Sequence, residues 1–164
     1  MSGIRFRIFV YMKELRITNG VVIVDDDDYE WLKKHSWTMS KDGYVKLVIR
    51  AGISAMRMHR AIMKAKNGEI IDHINGNGLD NRKSNLRICT HQQNQFNRGK
   101  NKNNLTGYKG VSFVNGKFLS NATLNGKVTY LGSFDNAVDA AKAYDEFAKK
   151  HHGEFARLNF PSQQ

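Results

Sequence analysis

Three residues, Asp72, His73 and Asn94, are of types that suit a single reaction. Hydrolysis of a phosphodiester needs a base to take a proton from water and a divalent cation to offset charge on phosphorus and on the departing oxygen. A neutral imidazole titrates near physiological pH. Carboxylate and carboxamide oxygens make hard-ligand sites for magnesium that leave positions open for water and phosphate. Asp72, His73 and Asn94 could supply all of these parts. One histidine alone would read as a hydrogen-bonded loop residue, whereas a spaced constellation points to chemistry. His59, alone before Arg60, is expected to pack or to anchor a loop, and His35, His151 and His152 to sit at helix ends.

Positioning these groups requires a strand ending at Asp72 and His73, a polar loop, a second strand over Leu86–Cys89 and a helix that begins at Thr90. Thr90 and Gln93 match a capping box, which places Asn94 in the first helical turn with its side chain leaning back toward the N-terminus. Neighbouring strand residues face opposite ways, so Asp72 and His73 would flank a phosphate from two sides. His91 stands as an alternative to Asn94 if the helix register shifts by about one turn.

Upstream, the β-branched run at 21–24 predicts a buried strand, and Asp25 to Asp28 open a short helix carrying Tyr29, Trp31 and Leu32. Acids at the start and Lys33, Lys34 and His35 after the end run with the helix dipole, so this cluster reads as structural. The turn at Lys41, Asp42 and Gly43 introduces a strand over 44–49, with 55–58 as a partner across Ala51 and Gly52. Residues 59–65 have the composition of a short helix, stopped by Asn67 and Gly68, that packs under the motif.

On this layout the sequence resembles the HNH nucleases, specifically the homing endonucleases of phages and mobile introns with their ββα-metal motif. That resemblance implies Asp72 and Asn94 as metal ligands, His73 as general base and Asn85 as the asparagine that ties down the loop, and the spacing fits it, with Asn85 twelve positions after His73 and Asn94 nine after Asn85. It also implies a divalent ion, Mg2+ or Mn2+, duplex DNA as substrate, and 5′-phosphate and 3′-hydroxyl products. With one site per chain, a monomer is expected to nick one strand.

Charge fits the same partner and fits a solvated basic face equally well. The chain of 164 residues has 26 Lys and Arg against 15 Asp and Glu, a net +11, and no acid at all between 81 and 134. Such a surplus attracts polyanions over a Debye length. Residues 97–106 are polar and basic with little to bury, which predicts an exposed linker. Beyond it, β-rich runs at 109–113, 117–124 and 127–131 are separated by two Asn-Gly turns and predict a three-stranded meander. A helix follows, capped by Asp135 or Asn136 and stopped by Gly153, with Ala137, Ala140, Ala141, Tyr144, Phe147 and Ala148 on its core face.

Residues 108–160 resemble the ethylene-response-factor type of DNA-binding domain, known from plant transcription factors and from fusions to phage-type HNH nucleases. The shared features run through Tyr108-Lys109-Gly110-Val111, Gly116-Lys117-Phe118, Tyr130-Leu131-Gly132, Ala140-Ala141-Lys142-Ala143-Tyr144-Asp145 and Leu158-Asn159-Phe160. The resemblance implies a sheet laid in the DNA major groove. Ser112, Val114, Asn121 and Thr123 stand where that family often carries charged residues, and Tyr130 where a tryptophan is usual. The DNA-binding residues expected are Arg98, Lys100, Lys102, Lys109, Lys117 and Lys127 for phosphates, with Asn121, Thr123 and Tyr130 toward the groove.

The fold expected is therefore α+β: a nuclease domain over 1–97, a basic linker over 98–105 and a sheet-plus-helix DNA-binding domain over 106–160. A single cysteine, Cys89, excludes an internal disulfide and the Cys-x-x-Cys pairs of a structural zinc site, and is expected in the core. No apolar run is long enough to span a bilayer, and the basic start lacks the features of a secretory signal, so an intracellular protein of a bacterial or phage-infected cell is expected. The rival class is a DNA-binding regulator without catalysis, with RNA binding a third; a pure regulator has no need of the Asp72, His73, Asn85 and Asn94 set.

Overall fold

A computed structural model describes residues 11–48 and 56–161. Its contacts divide the chain into two compact units, 1–88 and 89–164, and both mix short antiparallel sheets with helices, an α+β fold.

The first unit opens with β1 (Met12–Ile17) and β2 (Gly20–Asp25), paired antiparallel from Met12↔Asp25 to Ile17↔Gly20. No apolar run announces β1, because only Leu15 of its six residues is buried. The four aspartates start α1 (Asp26–Leu32) as their charges favour, with Asp26, Asp27 and Asp28 in its first turn. Asp25 accepts from the Lys83 amide at 2.8 Å and Asp28 pairs with Lys83 at 2.7 Å, the structural use expected of this cluster.

β3 (Trp37–Met39) and β4 (Val45–Leu47) form a hairpin across Asp42 and Gly43. The sequence reading paired this strand with 55–58 instead. Among the described residues its main partner is β3, and 56–58 contribute a Lys46↔Arg57 bridge and a bond from the Leu47 amide to the Met56 carbonyl at 2.9 Å. The expected turn at Ala51 and Gly52 lies outside the described residues.

Helix α2 (Met58–Ile62) is shorter than the expected 59–65, since Lys64 takes a positive φ of 49° and ends it. Strands β5 (Ile70–His73) and β6 (Leu86–Cys89) then pair. The core beneath them gathers Val22, Val24, Leu32, Trp37, Val45, Met58, Ile62, Ile71 and Leu86, and Trp37 donates its indole N–H to the Leu32 carbonyl at 2.8 Å.

In the second unit, α3 (His91–Asn97) is followed by an irregular segment and then by β7 (Val111–Val114), β8 (Lys117–Leu124) and β9 (Lys127–Phe134) in an antiparallel meander. Asn115 and Asn125 adopt φ near +50°, with Gly116 and Gly126 also positive, the conformation that two-residue hairpin turns demand. Helix α4 (Ala137–His152) is capped by the Asn136 side chain and ends at Gly153. Its small face lets the sheet approach, with Ala140 and Ala141 against Val111, and Tyr144 and Ala148 against Ala122.

Candidate active site and nucleic-acid interface

All of Ile71, Asp72 and His73 are buried on β5, and successive residues turn to different partners. The Asp72 carboxylate meets Arg87 of β6, which donates to Oδ2 from Nε at 3.1 Å and from Nη2 at 2.9 Å. With side chains only 7% and 12% exposed, this is a buried ion pair, in which each charge is tolerated because the other is there. Arg87 was legible in the sequence only as one of the basic residues.

His73 places Nε2 3.3 Å from Oδ1 of Asn81, a residue with no exposed surface. The Asn81 amide nitrogen donates to the Gly78 carbonyl at 3.1 Å, so its oxygen is the end that faces the ring and accepts from Nε2–H. The bond thereby assigns the tautomer, with the proton on Nε2 and the lone pair on Nδ1. Burial pushes the His73 pKa below the ordinary histidine value, while the Asn81 bond and the Asp72 charge act the other way. The ring is held neutral, in the form that accepts a proton.

Asn85 closes the loop between β5 and β6. Its Oδ1 accepts from the Asn75 amide at 3.0 Å, and its Nδ2 donates to Asn75 Oδ1 at 3.0 Å and to the Asp80 carbonyl at 2.7 Å. Asp80 takes Arg82 in a two-point grip at 2.8 and 2.6 Å, which draws its carboxyl below the usual range. The loop is stitched to β2 by the Ile23 amide on the Leu79 carbonyl at 2.9 Å and the Asn81 amide on the Ile23 carbonyl at 2.8 Å.

Two more rings stand against His73. His59 of α2 meets it T-shaped, centroids 5.0 Å apart and planes at 83°, and Tyr44 lies 5.7 Å from His73 and 5.3 Å from His59. The Arg57 guanidinium covers Tyr44 at 4.9 Å and pairs with Asp42 at 2.9 Å. The loop reaches this cluster because residue 78 is glycine: a Cβ there would stand 2.3 Å from the Gly43 carbonyl oxygen. His59 was expected to pack, and it is buried; its contact with His73 and the part of Asn81 had no signal in the spacing.

Asn94 belongs to the second unit, half-buried in the first turn of α3, its amide bonded to the Thr90 carbonyl at 2.9 Å. The capping box is formed in both directions, at 3.2 and 2.8 Å. His91 opens the helix and is exposed. The far end of α3 is fixed as firmly. Phe96 stacks on His152 at 3.7 Å with planes 10° apart, and its carbonyl accepts from the Arg157 amide at 3.2 Å.

The Asp72 carboxylate offers oxygens of the hard kind that a divalent cation takes. The ion pair with Arg87 requires Asp72 as the anion, which is also its ligating form. Among the described residues no group of three or more His, Cys, Asp or Glu is arranged for a metal, so the thiolate and imidazole cages of structural zinc have no counterpart there.

Of the expected DNA-binding residues, Asn121, Thr123 and Tyr130 share the sheet face turned away from α4. Tyr130 opposes Asn121, and an extra residue at Leu131, between the Tyr130 and Gly132 pairings, bends β9 there. Tyr130 is 60% exposed. Arg98, Lys100, Lys109, Asn121 and Thr123 line one cleft of about 710 Å³ within this unit. Lys109 is the least exposed of the lysines: its ammonium donates to the Phe96 carbonyl, and burial, with Arg157 and Arg98 near it, brings its pKa down to about 8. Lys117 pairs with Asp135, while Lys102 and Lys127 are exposed.

Residues 57–96 match a family described as HNH endonuclease. The chain is 30% identical over 140 residues to an uncharacterized HNH endonuclease of Acanthamoeba polyphaga mimivirus, covering 81% of this chain and 71% of that one. It is 34% identical over 111 residues to Protein 3.8 of Escherichia phage T7, covering 63% of this chain and 91% of that protein. No solved structure gives a significant match. No helix among the described residues is long and apolar enough to cross a membrane. The matched segment holds α2, β5, the Asn85 loop, β6 and most of α3, the elements that carry Asp72, His73, Asn85 and Asn94, and the chain belongs to the HNH endonucleases.

Proposed function

We propose that this enzyme is a homing-type endonuclease that nicks one strand of duplex DNA as a monomer in Mg2+ or Mn2+, with its C-terminal region supplying recognition. His73 is the general base, Asn85 holds its loop, and Asp72 and Asn94 hold the ion. Bound there, a divalent ion would supply charge stabilisation at phosphorus and at the leaving oxygen. His73 accepts a proton at Nδ1 from a water whose oxygen forms the new bond to phosphorus. The bond to the 3′ oxygen breaks, and that oxygen takes a proton from solvent, leaving a 5′-phosphate and a 3′-hydroxyl.

The observation that carries this reading is the His73 to Asn81 bond, because an amide oriented by the Gly78 carbonyl leaves the ring neutral with its lone pair on Nδ1. In the second half, the outward sheet face with Asn121, Thr123 and Tyr130 is the candidate groove surface. Arg98, Lys100, Lys102, Lys109, Lys117 and Lys127 are candidate phosphate contacts. We assign the nuclease to 1–97, a basic linker to 98–105 and an ethylene-response-factor-type domain to 106–160. Nicking of supercoiled plasmid is the test. His73→Ala should lower kcat by about 10²- to 10⁴-fold with duplex affinity retained, and unchanged nicking by that variant would refute the assignment.

A further inference from the structure

His59 is 3% exposed, its Nδ1 has no hydrogen-bond partner among the described residues, and nothing in the proposed reaction uses it. A buried polar ring left short of a bond costs stability relative to an apolar side chain of similar size. Its surroundings show what the ring is placed against. It lies between Tyr44 at 5.3 Å and His73 at 5.0 Å, and the His73 contact is T-shaped at 83°, the arrangement in which aromatic rings attract through edge and face. The Asn81 bond at Nε2 sets the His73 tautomer, and a hydrogen bond at one ring atom does not by itself set the plane of the ring. A ring at right angles holds that plane.

We propose that His59 is a positioning residue for His73: its ring, braced by Tyr44, fixes the plane of the imidazole that Asn81 holds at one nitrogen. This rests on His73 acting as the base. His59 does not relay protons in this arrangement. Burial, with His73 beside it and the charges of Arg57 and Arg60, takes its pKa down to about 3, so the ring is neutral near pH 7. What counts is then a flat ring, and phenylalanine should serve where leucine, of similar bulk but without a plane, does not.

The test compares wild type, His73→Ala, His59→Leu and His59→Phe in plasmid nicking with magnesium, with duplex affinity and melting measured for each. His59→Leu should lose about 10- to 100-fold in kcat, the cost of a misplaced catalytic group, with KM within about threefold. His59→Phe should recover most of it. The second readout is the ring-nitrogen NMR spectrum of His73 in the metal-free protein. A single neutral tautomer with the proton on Nε2 is expected in wild type and in the Phe variant, and a mixed or broadened pair in the Leu variant. Wild-type kcat in His59→Leu, or a Phe variant as impaired as the Leu variant, overturns the inference and leaves His73 as the base. Wild-type kcat in His73→Ala overturns both.

Discussion

Around β5 and β6 the buried side chains include Asp72, His73, Asp80, Asn81 and Asn85, and hydrogen bonds and ion pairs with one another, with Asn75, Arg82 and Arg87 and with nearby carbonyls hold them. Between the β7 to β9 sheet and α4 the buried hydrophobic side chains Val111, Ala122, Ala140, Ala141, Tyr144 and Ala148 pack by shape, while the buried Asp145 on α4 accepts from Asn159 and from the Phe160 amide. Apolar packing tolerates exchanges that keep volume, because no contact depends on one atom. In a polar network each group removed leaves its partner buried without a bond, and the damage exceeds the worth of the bond itself. The first unit therefore sets its buried polar groups by direction, and the second packs its sheet on α4 largely by space filling.

The sharpest way to break this contrast is at the Asp72 and Arg87 pair. Arg87→Ala removes the opposite charge from a buried carboxylate and should destabilise the first unit by about 3–5 kcal/mol. Converting both residues at once, with Asp72→Leu and Arg87→Met, should restore most of that loss, since it turns a polar contact into the kind that holds the second unit. Both tryptophans, Trp31 and Trp37, lie in the first unit, so urea unfolding followed by tryptophan fluorescence reads it alone. A loss under about 1 kcal/mol in Arg87→Ala would show that the pair does not hold these strands.

A smaller effect follows from pH. His59 binds a proton in the unfolded chain near pH 6.5 but only near pH 3 when folded, so between those values the unfolded state carries the extra proton. Stability is complete above the unfolded value and falls as pH drops through the window, by about 1.4 kcal/mol per unit. From pH 6.5 to 5 wild type should lose about 2 kcal/mol from this residue. His59→Phe should lose less by that amount, and equal acid sensitivity of the two proteins would contradict the depressed value.

The same contrast explains what could be read from the chain. The C-terminal meander and helix were legible, since Asn-Gly turns and the alanine stripe of α4 are local signals of a fold held by pattern. The capping box at Thr90 and the strand Leu86–Cys89 were legible for that reason too. Strand β1 was not, because one buried leucine makes no pattern. Spacing pointed to Asp72, His73, Asn85 and Asn94 but was silent on Asn81, Arg87, His59 and Tyr44. These residues act on His73 or Asp72 by meeting them from other elements, and a bond such as Arg87 to Asp72, 15 positions apart, leaves no periodic trace.

On the sheet side the expected effects are the smallest, and they separate by kind. Asn121 faces outward from the middle of β8, where a groove contact would read bases, so Asn121→Ala should cost about 1–3 kcal/mol on a preferred duplex and little on random sequence. Lys127 lies at the exposed hairpin end of β9, and its proposed role is a phosphate contact. Lys127→Ala should weaken all duplexes alike and reduce the slope of log affinity against log salt by about 1. Titrating both variants against a preferred and a random duplex at several salt concentrations distinguishes the two losses. If Asn121→Ala lowered the salt slope and spared sequence preference, this sheet face would be tracking the backbone rather than reading the groove, and recognition would have to lie elsewhere in the chain.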